Sequence, residues 1–324
     1  DRIAVRWGDK SRSFGEFAER VARFAAALQQ LGVQPGDRVA MLSLNSERYL
    51  EYQMAVPWAG AVLNPCNIRW SPAEILYSLE DSGSIVLLVD ETFKAMVPQF
   101  RRESTTLREF IYCGDGEAPE GMHSYEALVA QAQPVTDALR RGDDLAGIFY
   151  TGGTTGFPKG VMLSHTNLCS SGLAARAEGL ARPGGTYLHA APMFHLGDMG
   201  MAFPHWIEGN THSVIPMFDP AKVLDTIEEH KVTNLMLVPT MIQVMLDHPT
   251  IGQRDLSSLQ TVFYGASAVP DALLLRAQKA IPQAEVFQGF GMTELAPVGT
   301  ILPSSYLSEE GRKHGKLGCS GRAT

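Results

Sequence analysis

With 324 residues, 45% of them hydrophobic and 19% charged, the chain can bury a sizeable core, which excludes an intrinsically disordered protein. A net charge of -8 and a pI of about 5.6 exclude a broad basic surface for nucleic acid, though not a local basic pocket for an anion. No apolar run approaches the roughly 18–20 residues that span a bilayer and no secretory leader is visible. The four cysteines (Cys66, Cys113, Cys169 and Cys319) have no paired spacing, so the expectation is a cytoplasmic protein with reduced thiols.

Asp1 stands directly before a strand-like IAVRW run, and Gly318 to Thr324 stop as abruptly, so both ends predict a piece of a longer protein. Phe14, Phe17, Val21, Phe24, Leu28 and Leu31 recur at three- and four-residue spacing, one stripe of an amphipathic helix. Ser13 and Glu16 supply its capping box and Gly32 its stop. Ser71, Pro72 and Glu74 open a second helix, and Asp219 with Pro220 opens another over Ala221 to His230.

Between such helices lie compact apolar runs: Arg38–Leu42, Ser84–Asp90, Glu109–Tyr112, Leu145–Tyr150, Thr211–Ile215, Asn234–Val238, Thr261–Tyr264 and Glu285–Gln288. Runs of this kind separated by helices predict buried parallel strands with crossover helices. No internal repeat or low-complexity tract is visible, and Gly114 to Gly121 reads as a surface loop. The fold class is therefore α/β, two-lobed, with mostly parallel sheets flanked by helices and a seam between Leu168 and Thr186, giving lobes of roughly 1–175 and 176–324. Ligands of such sheets sit beyond the carboxyl ends of the strands, which directs attention to the loops after Tyr150, Tyr264 and Gln288.

The first of these loops carries the strongest signal. Leu145 to Tyr150 runs straight into Thr151, Gly152, Gly153, Thr154, Thr155, Gly156, Phe157, Pro158, Lys159 and Gly160. Glycines let backbone amides approach an anion, threonine hydroxyls add donors, and Lys159 adds charge, a combination suited to nucleotide phosphates. A plain hairpin turn, with Val161 to Leu163 as the returning strand, is the simpler alternative. A P-loop NTPase is excluded, because its lysine is preceded by Gly and followed by the Ser or Thr that binds Mg²⁺, whereas Lys159 lies between Pro158 and Gly160.

Residue for residue, Tyr150 to Gly160 resembles the phosphate-binding signature of the acyl-adenylate-forming superfamily, and Ser164-His165-Thr166-Asn167 resembles its continuation in acyl-CoA synthetases. A second match is Gln288-Gly289-Phe290-Gly291-Met292-Thr293-Glu294, with Phe290 where the family commonly has Tyr. The resemblance implies that Thr293 contacts the α-phosphate and that Glu294 holds the Mg²⁺ bridging the phosphates of ATP. Ala191 to His195 resembles the segment between the nucleotide and acyl pockets, and Gly265-Ala266-Ser267 the loop lining adenine and the acyl carboxylate. A hydrolase nucleophile elbow fails at this last loop, because Val269 stands where the second Gly is required. Asn234 to Leu246 resembles the strand and helix beside the acyl pocket, although a Met-rich helix is more often plain core.

The resemblance thus implies the large N-terminal domain of an acyl-CoA synthetase of the fatty-acid–CoA ligase branch. The implied cofactors and partners are ATP, Mg²⁺, CoA as co-substrate and a small carboxylic acid. By the same resemblance Thr151, Lys159, His195 and Glu294 are the catalytic candidates. The nucleotide contacts are Thr151 to Gly156, Lys159, Gly265 to Ser267 and Gln288 to Thr293. An apolar surround at His195 and Val238–Leu246 favours an aliphatic chain over an aryl acid. The family's later ribose-binding Asp, its hinge and its C-terminal Lys have no counterpart here, and Lys316 stands in a different context, so 1–324 alone is expected not to complete adenylation. Three alternatives stay open: an amino-acid-activating domain, for which Asp198 is a second candidate beside His195, a phosphotransferase, and a non-catalytic nucleotide-binding module. Homodimerisation also stays open.

Overall fold

The computed structural model describes residues 1–152, 156–267, 269–307, 309–313, 315 and 319–324, with the side chains of 309 and 312 left aside. The chain divides into two compact units: residues 1–2 with 12–166, and residues 3–11 with 167–324. The division falls at 166/167, within the chain, and it gives the first strand to the second unit.

The chain opens with β1 (Ile3–Trp7) and β2 (Lys10–Ser13), which belong to the sheet of the second unit, and then enters α1 (Phe14–Gln30). Ser13 caps α1 with a complete capping box, its backbone N–H donating to Glu16 Oε2 at 2.7 Å. There follow β3 (Arg38–Leu42), α2 (Glu47–Trp58), β4 (Val62–Pro65), α3 (Pro72–Ser82), β5 (Ser84–Val89), α4 (Val97–Glu103), β6 (Glu109–Tyr112), β7 (His123–Ser124), α5 (Tyr125–Gln131), β8 (Leu145–Thr151) and β9 (Lys159–Ser164). The strands form one sheet in the order β7-β6-β5-β3-β4-β8-β9, parallel throughout except where β8 meets β9. β5 is buried along its whole length, as expected for a strand covered on both faces. Against the helices, Glu51 is buried and accepts from Arg12, Arg20 and Tyr125 at 2.6–2.7 Å, so its charge is matched by donors rather than left bare.

The second unit runs through α6 (His165–Ala177), β10 (Thr186–His189), α7 (Leu196–Glu208), β11 (Thr211–Val214), α8 (Pro220–His230), β12 (Asn234–Leu237), α9 (Pro239–Leu246), β13 (Thr261–Tyr264), α10 (Asp271–Ala280), β14 (Glu285–Gly291), β15 (Val298–Leu302) and β16 (Arg322–Ala323). Asp219 caps α8, accepting from Lys222 N–H at 2.9 Å. The sheet order is β16-β15-β14-β13-β12-β10-β11-β1-β2; β10 to β14 pair in parallel, and β14–β15 and β15–β16 are antiparallel. Leu188, Leu235, Leu237, Val262 and Tyr264 form its core with Val223, Leu224 and Ile227 of α8. Met236 and Met245 are buried in the cores of this unit, which is the plain-core reading of the Met-rich segment.

Both sheets contain the same winding. In the first, β3 is flanked by β4 and then β5, β6 and β7; in the second, β10 is flanked by β11 and then β12, β13 and β14. The strand order reverses between β3 and β5 in one and between β10 and β12 in the other, the kind of point at which open α/β sheets form a ligand crevice.

A buried polar cluster lies under α7. Asp198 in its first turn accepts from Tyr187 O–H at 3.2 Å and lies 2.6 Å from His189 Nδ1, while His189 Nε2 is 2.9 Å from His212 Nδ1. His212 stacks on Trp206 at 3.7 Å, and His205 Nδ1 meets Asn210 at 3.0 Å. Burial, reinforced by the neighbouring His189, holds His205 at a pKa of about 3, and burial with His189 and His205 pushes His212 the same way. Both rings take up a proton in the unfolded chain below about pH 6.5 and resist it in the native one, so their contribution is complete above that pH and falls away on acidification, for His205 as pH falls toward 3. The expected slope is on the order of 1.4 kcal/mol per pH unit for each ring. Urea unfolding at pH 7 and pH 5 should show the loss, and a His205→Gln variant should follow a shallower curve.

Candidate active site

In the first unit β8 and β9 pair antiparallel with Tyr150 opposite Gly160 and Thr151 opposite Lys159. The limbs that flank the glycine- and threonine-rich segment are thus the paired strands of a β-hairpin, which is the arrangement of the hairpin alternative. The segment leads into a strand, not into the helix that a P-loop requires. Thr151 Oγ1 donates to Lys159 O at 3.5 Å across the mouth, and Gly152, Gly156 and Lys159 are exposed. A β-carbon at Gly152 or at Gly156 would meet nothing within 4 Å, so open space borders these two positions. Gly153, Thr154 and Thr155 lie outside the described residues, as does Lys316.

The strand-order reversal of this sheet is not an open crevice. Asp90, just after β5, reaches across it, accepting from Leu44 N–H at 2.8 Å and Ser43 Oγ at 3.2 Å, and from Thr92 N–H at 2.9 Å. Its oxygens satisfy the strand ends from within.

In the second unit the segments singled out from sequence all follow carboxyl ends of adjacent parallel strands. Ala190 to His195 follows β10, Val238 follows β12, Gly265 to Ser267 follows β13, and Gly289 to Glu294 closes β14. The reversal between β10 and β12 thus lies between the Ala190–His195 loop and Val238. His195 caps α7 without a side-chain cap bond, is exposed, and holds its ring 5.5 Å from that of buried Phe194. Asp198, the second candidate here, is buried with one oxygen on Tyr187 and the other on His189, so neither faces outward for a substrate ammonium.

Tyr264, just before Gly265, sits opposite Gln288 in the β13–β14 register and its O–H donates to Gln288 Oε1 at 3.0 Å. Ala266 has φ 70, a left-handed conformation that a residue with a β-carbon adopts at a cost, and such strain is concentrated at ligand-binding loops. Phe290, Met292 and Leu295 are large apolar side chains left 47%, 48% and 42% exposed on a single short segment. Thr293 and Glu294 form a 3₁₀ turn there, and Glu294 is exposed. Among the described residues no group of three or more His, Cys, Asp or Glu could cage a metal. A single accessible carboxylate does fit Mg²⁺, which takes most of its ligands from phosphate oxygens and water.

Two contacts at the hairpin escaped the sequence reading. Tyr77 of α3 stacks on Phe157 at 4.7 Å and 24°, and Tyr150 O–H donates to Asp81 of α3 at 2.6 Å. The only sequence signal is that Tyr77 and Asp81 are four residues apart on one helix face; nothing in the spacing ties that face to the loop.

Fold and segments together define an AMP-binding enzyme domain, and the family model of that description matches residues 1–323. The chain belongs to the AMP-binding family. It is 36% identical over 309 residues to a feruloyl-CoA synthase of an Amycolatopsis species, covering 95% of this chain and 59% of that protein. It is 37% identical over 290 residues to a long-chain-fatty-acid–CoA ligase of Thermus thermophilus, covering 88% of this chain and 52% of that one. The inhibitor-bound N-terminal domain of FACL13 from Mycobacterium tuberculosis superposes with a TM-score of 0.87 at 28% identity, over 99% of this chain and 78% of the other. The chain therefore spans little more than half the length of these curated relatives.

One glycine of the second motif is fixed by packing. A β-carbon at Gly289 would lie 2.1 Å from Phe263 Cζ, so the strand can pass the ring only without a side chain. Gly289→Ala should lower unfolding stability by about 1–3 kcal/mol in a denaturant titration, the range for overpacking a filled site.

Proposed function

We propose that this protein uses ATP to activate an apolar carboxylic acid as an acyl-adenylate and then transfers the acyl group to CoA. The observation that carries the reading is the hairpin mouth at which Thr151 faces Lys159, in a chain of the AMP-binding family. The relatives named for CoA ligation support the class of reaction.

In the first half-reaction a carboxylate oxygen attacks the α-phosphorus of ATP, the bond from that phosphorus to the bridging oxygen breaks, and pyrophosphate leaves with the electron pair. Such a displacement demands in-line positioning and charge neutralisation rather than an acid or base. Lys159 and the hydroxyls and amides of the tip neutralise the departing phosphates, and Thr293 donates to the α-phosphate. Gly265 to Ser267 and Phe290 take the adenine, Phe290 by its exposed ring face. Glu294 would hold Mg²⁺, which when bound spreads the negative charge of the phosphate oxygens. In the second half-reaction the CoA thiol attacks the acyl carbonyl and AMP leaves.

His195 and the segment after Val238 border the acyl chain in this reading. Both oxygens of Asp198, the second candidate beside His195, are engaged by Tyr187 and His189, which favours a substrate without an ammonium group. A fatty acid is the preferred substrate; an aryl-propenoic acid is the second reading, favoured by the likeness to a feruloyl-CoA synthase.

Acyl-CoA formation by the complete protein, assayed over graded fatty acids and aryl-propenoic acids, should give the highest kcat/KM with a fatty acid. Highest turnover with an amino acid, or none with any carboxylic acid, contradicts the proposal. Lys159→Ala should weaken ATP binding roughly 10-fold or more, the worth of one charge-assisted contact of about 1.5–3 kcal/mol. Unchanged ATP affinity would remove Lys159 from the phosphate site.

A further inference from the structure

We propose that α3 clamps both limbs of the phosphate-loop hairpin, with Tyr77 and Asp81 as positioning residues. On the outgoing limb Tyr150 O–H donates to Asp81 Oδ2 at 2.6 Å, and the Trp70 ring, just before the Ser71 cap of α3, meets the Tyr150 ring edge-on at 6.5 Å. On the returning limb Phe157 stacks on Tyr77 at 4.7 Å. Phe157 is nonetheless 70% exposed, so this stack, rather than burial in a core, holds it in place. Tyr77 and Asp81 are separated by one helical turn and lie on the face of α3 away from the core, to which Ile75, Ser78 and Leu79 are committed.

A clamp works only if its base is rigid, and the end of α3 is. Arg38 Nε donates to Ser82 O at 2.6 Å and Arg38 Nη2 to Gly83 O at 2.8 Å, which satisfies carbonyls that a helix end otherwise leaves open. Asn64 Nδ2 donates to the buried hydroxyls of Ser82 at 2.8 Å and Ser84 at 2.9 Å, tying α3 to β4 and β5. Helix, strand ends and hairpin mouth form one hydrogen-bonded frame. Its effect is to fix where Thr151 and Lys159, paired at the mouth, present their groups.

The link from clamp to ligand rests on the phosphate-loop reading above; the clamp itself does not. Hydrogen exchange of the amides spanning 150–160 in the purified protein, without nucleotide, therefore tests it first, with ATP affinity as the second readout. Tyr77→Ala and Phe157→Ala should each speed exchange and weaken ATP binding about 3- to 10-fold, the worth of one aromatic pair. The double variant should be no worse than either single one, because both remove the same contact. Tyr77→Phe, which keeps the stack, should restore wild-type exchange, and Asp81→Asn should do better than Asp81→Ala because an amide oxygen still accepts from Tyr150. Unfolding midpoints of the variants separate a local effect from a global one. Unchanged exchange in Tyr77→Ala or additive effects in the double variant overturns the proposal, whereas altered exchange with unaltered ATP affinity leaves the clamp standing and removes its link to the ligand. Exchange as expected in a protein that binds no ATP leaves the clamp standing and removes the phosphate-loop reading instead.

Discussion

The antiparallel pairing of β8 with β9 is the constraint on which the candidate chemistry depends. A run rich in glycine has little conformational preference of its own, and fixing it into one shape is entropically expensive. Pairing Thr151 with Lys159 closes the run at its mouth and sets these two residues opposite one another on the paired strands. P-loop proteins reach the same end differently, by running the loop into a helix N-terminus whose free amides face the phosphate. Here the second limb is a strand, so in the proposed reading the positive charge comes from Lys159 rather than from a helix N-terminus.

The two sheets repeat one winding and use it differently. In the first unit the strand-order reversal is bridged by Asp90, and the candidate loop sits instead at the end of β8, beyond β4 on the other side of β3. In the second unit the reversal between β10 and β12 is bordered by the loop that carries Phe194 and His195. The buried Asp198 cluster follows that loop in the chain and ties the first turn of α7 to β10 and β11 through His189 and His212. An exposed His195 on a helix start anchored this firmly has a defined position without being part of the core.

Much of this could be read from sequence because it is local. The capping boxes at Ser13 and Ser71 appear with the partners their spacing dictates, and Arg38–Leu42, Glu109–Tyr112 and Thr261–Tyr264 coincide with β3, β6 and β13. What was missed is non-local or disguised. β4 reads as Val-Leu-Asn-Pro, and its Asn64 is acceptable in a buried strand only because Ser82 and Ser84 accept from it. β1 joins the second unit by pairing with β11, some two hundred residues away, and no periodicity encodes a partner at that distance. The same holds at the site. The motif residues announce themselves by type and spacing, whereas Tyr77 and Asp81 are ordinary helix-surface residues until the hairpin is folded against them.

The central claim is that a carboxylate attacks the α-phosphorus of ATP on this protein. It is tested most directly by supplying the complete protein with an acid labelled with ¹⁸O in both carboxylate oxygens, together with ATP and CoA, and recovering the nucleotide product by mass spectrometry. One ¹⁸O should appear in AMP, carried there when CoA displaces the adenylate. Label in inorganic phosphate with ADP as the nucleotide product, or AMP without label, would contradict it.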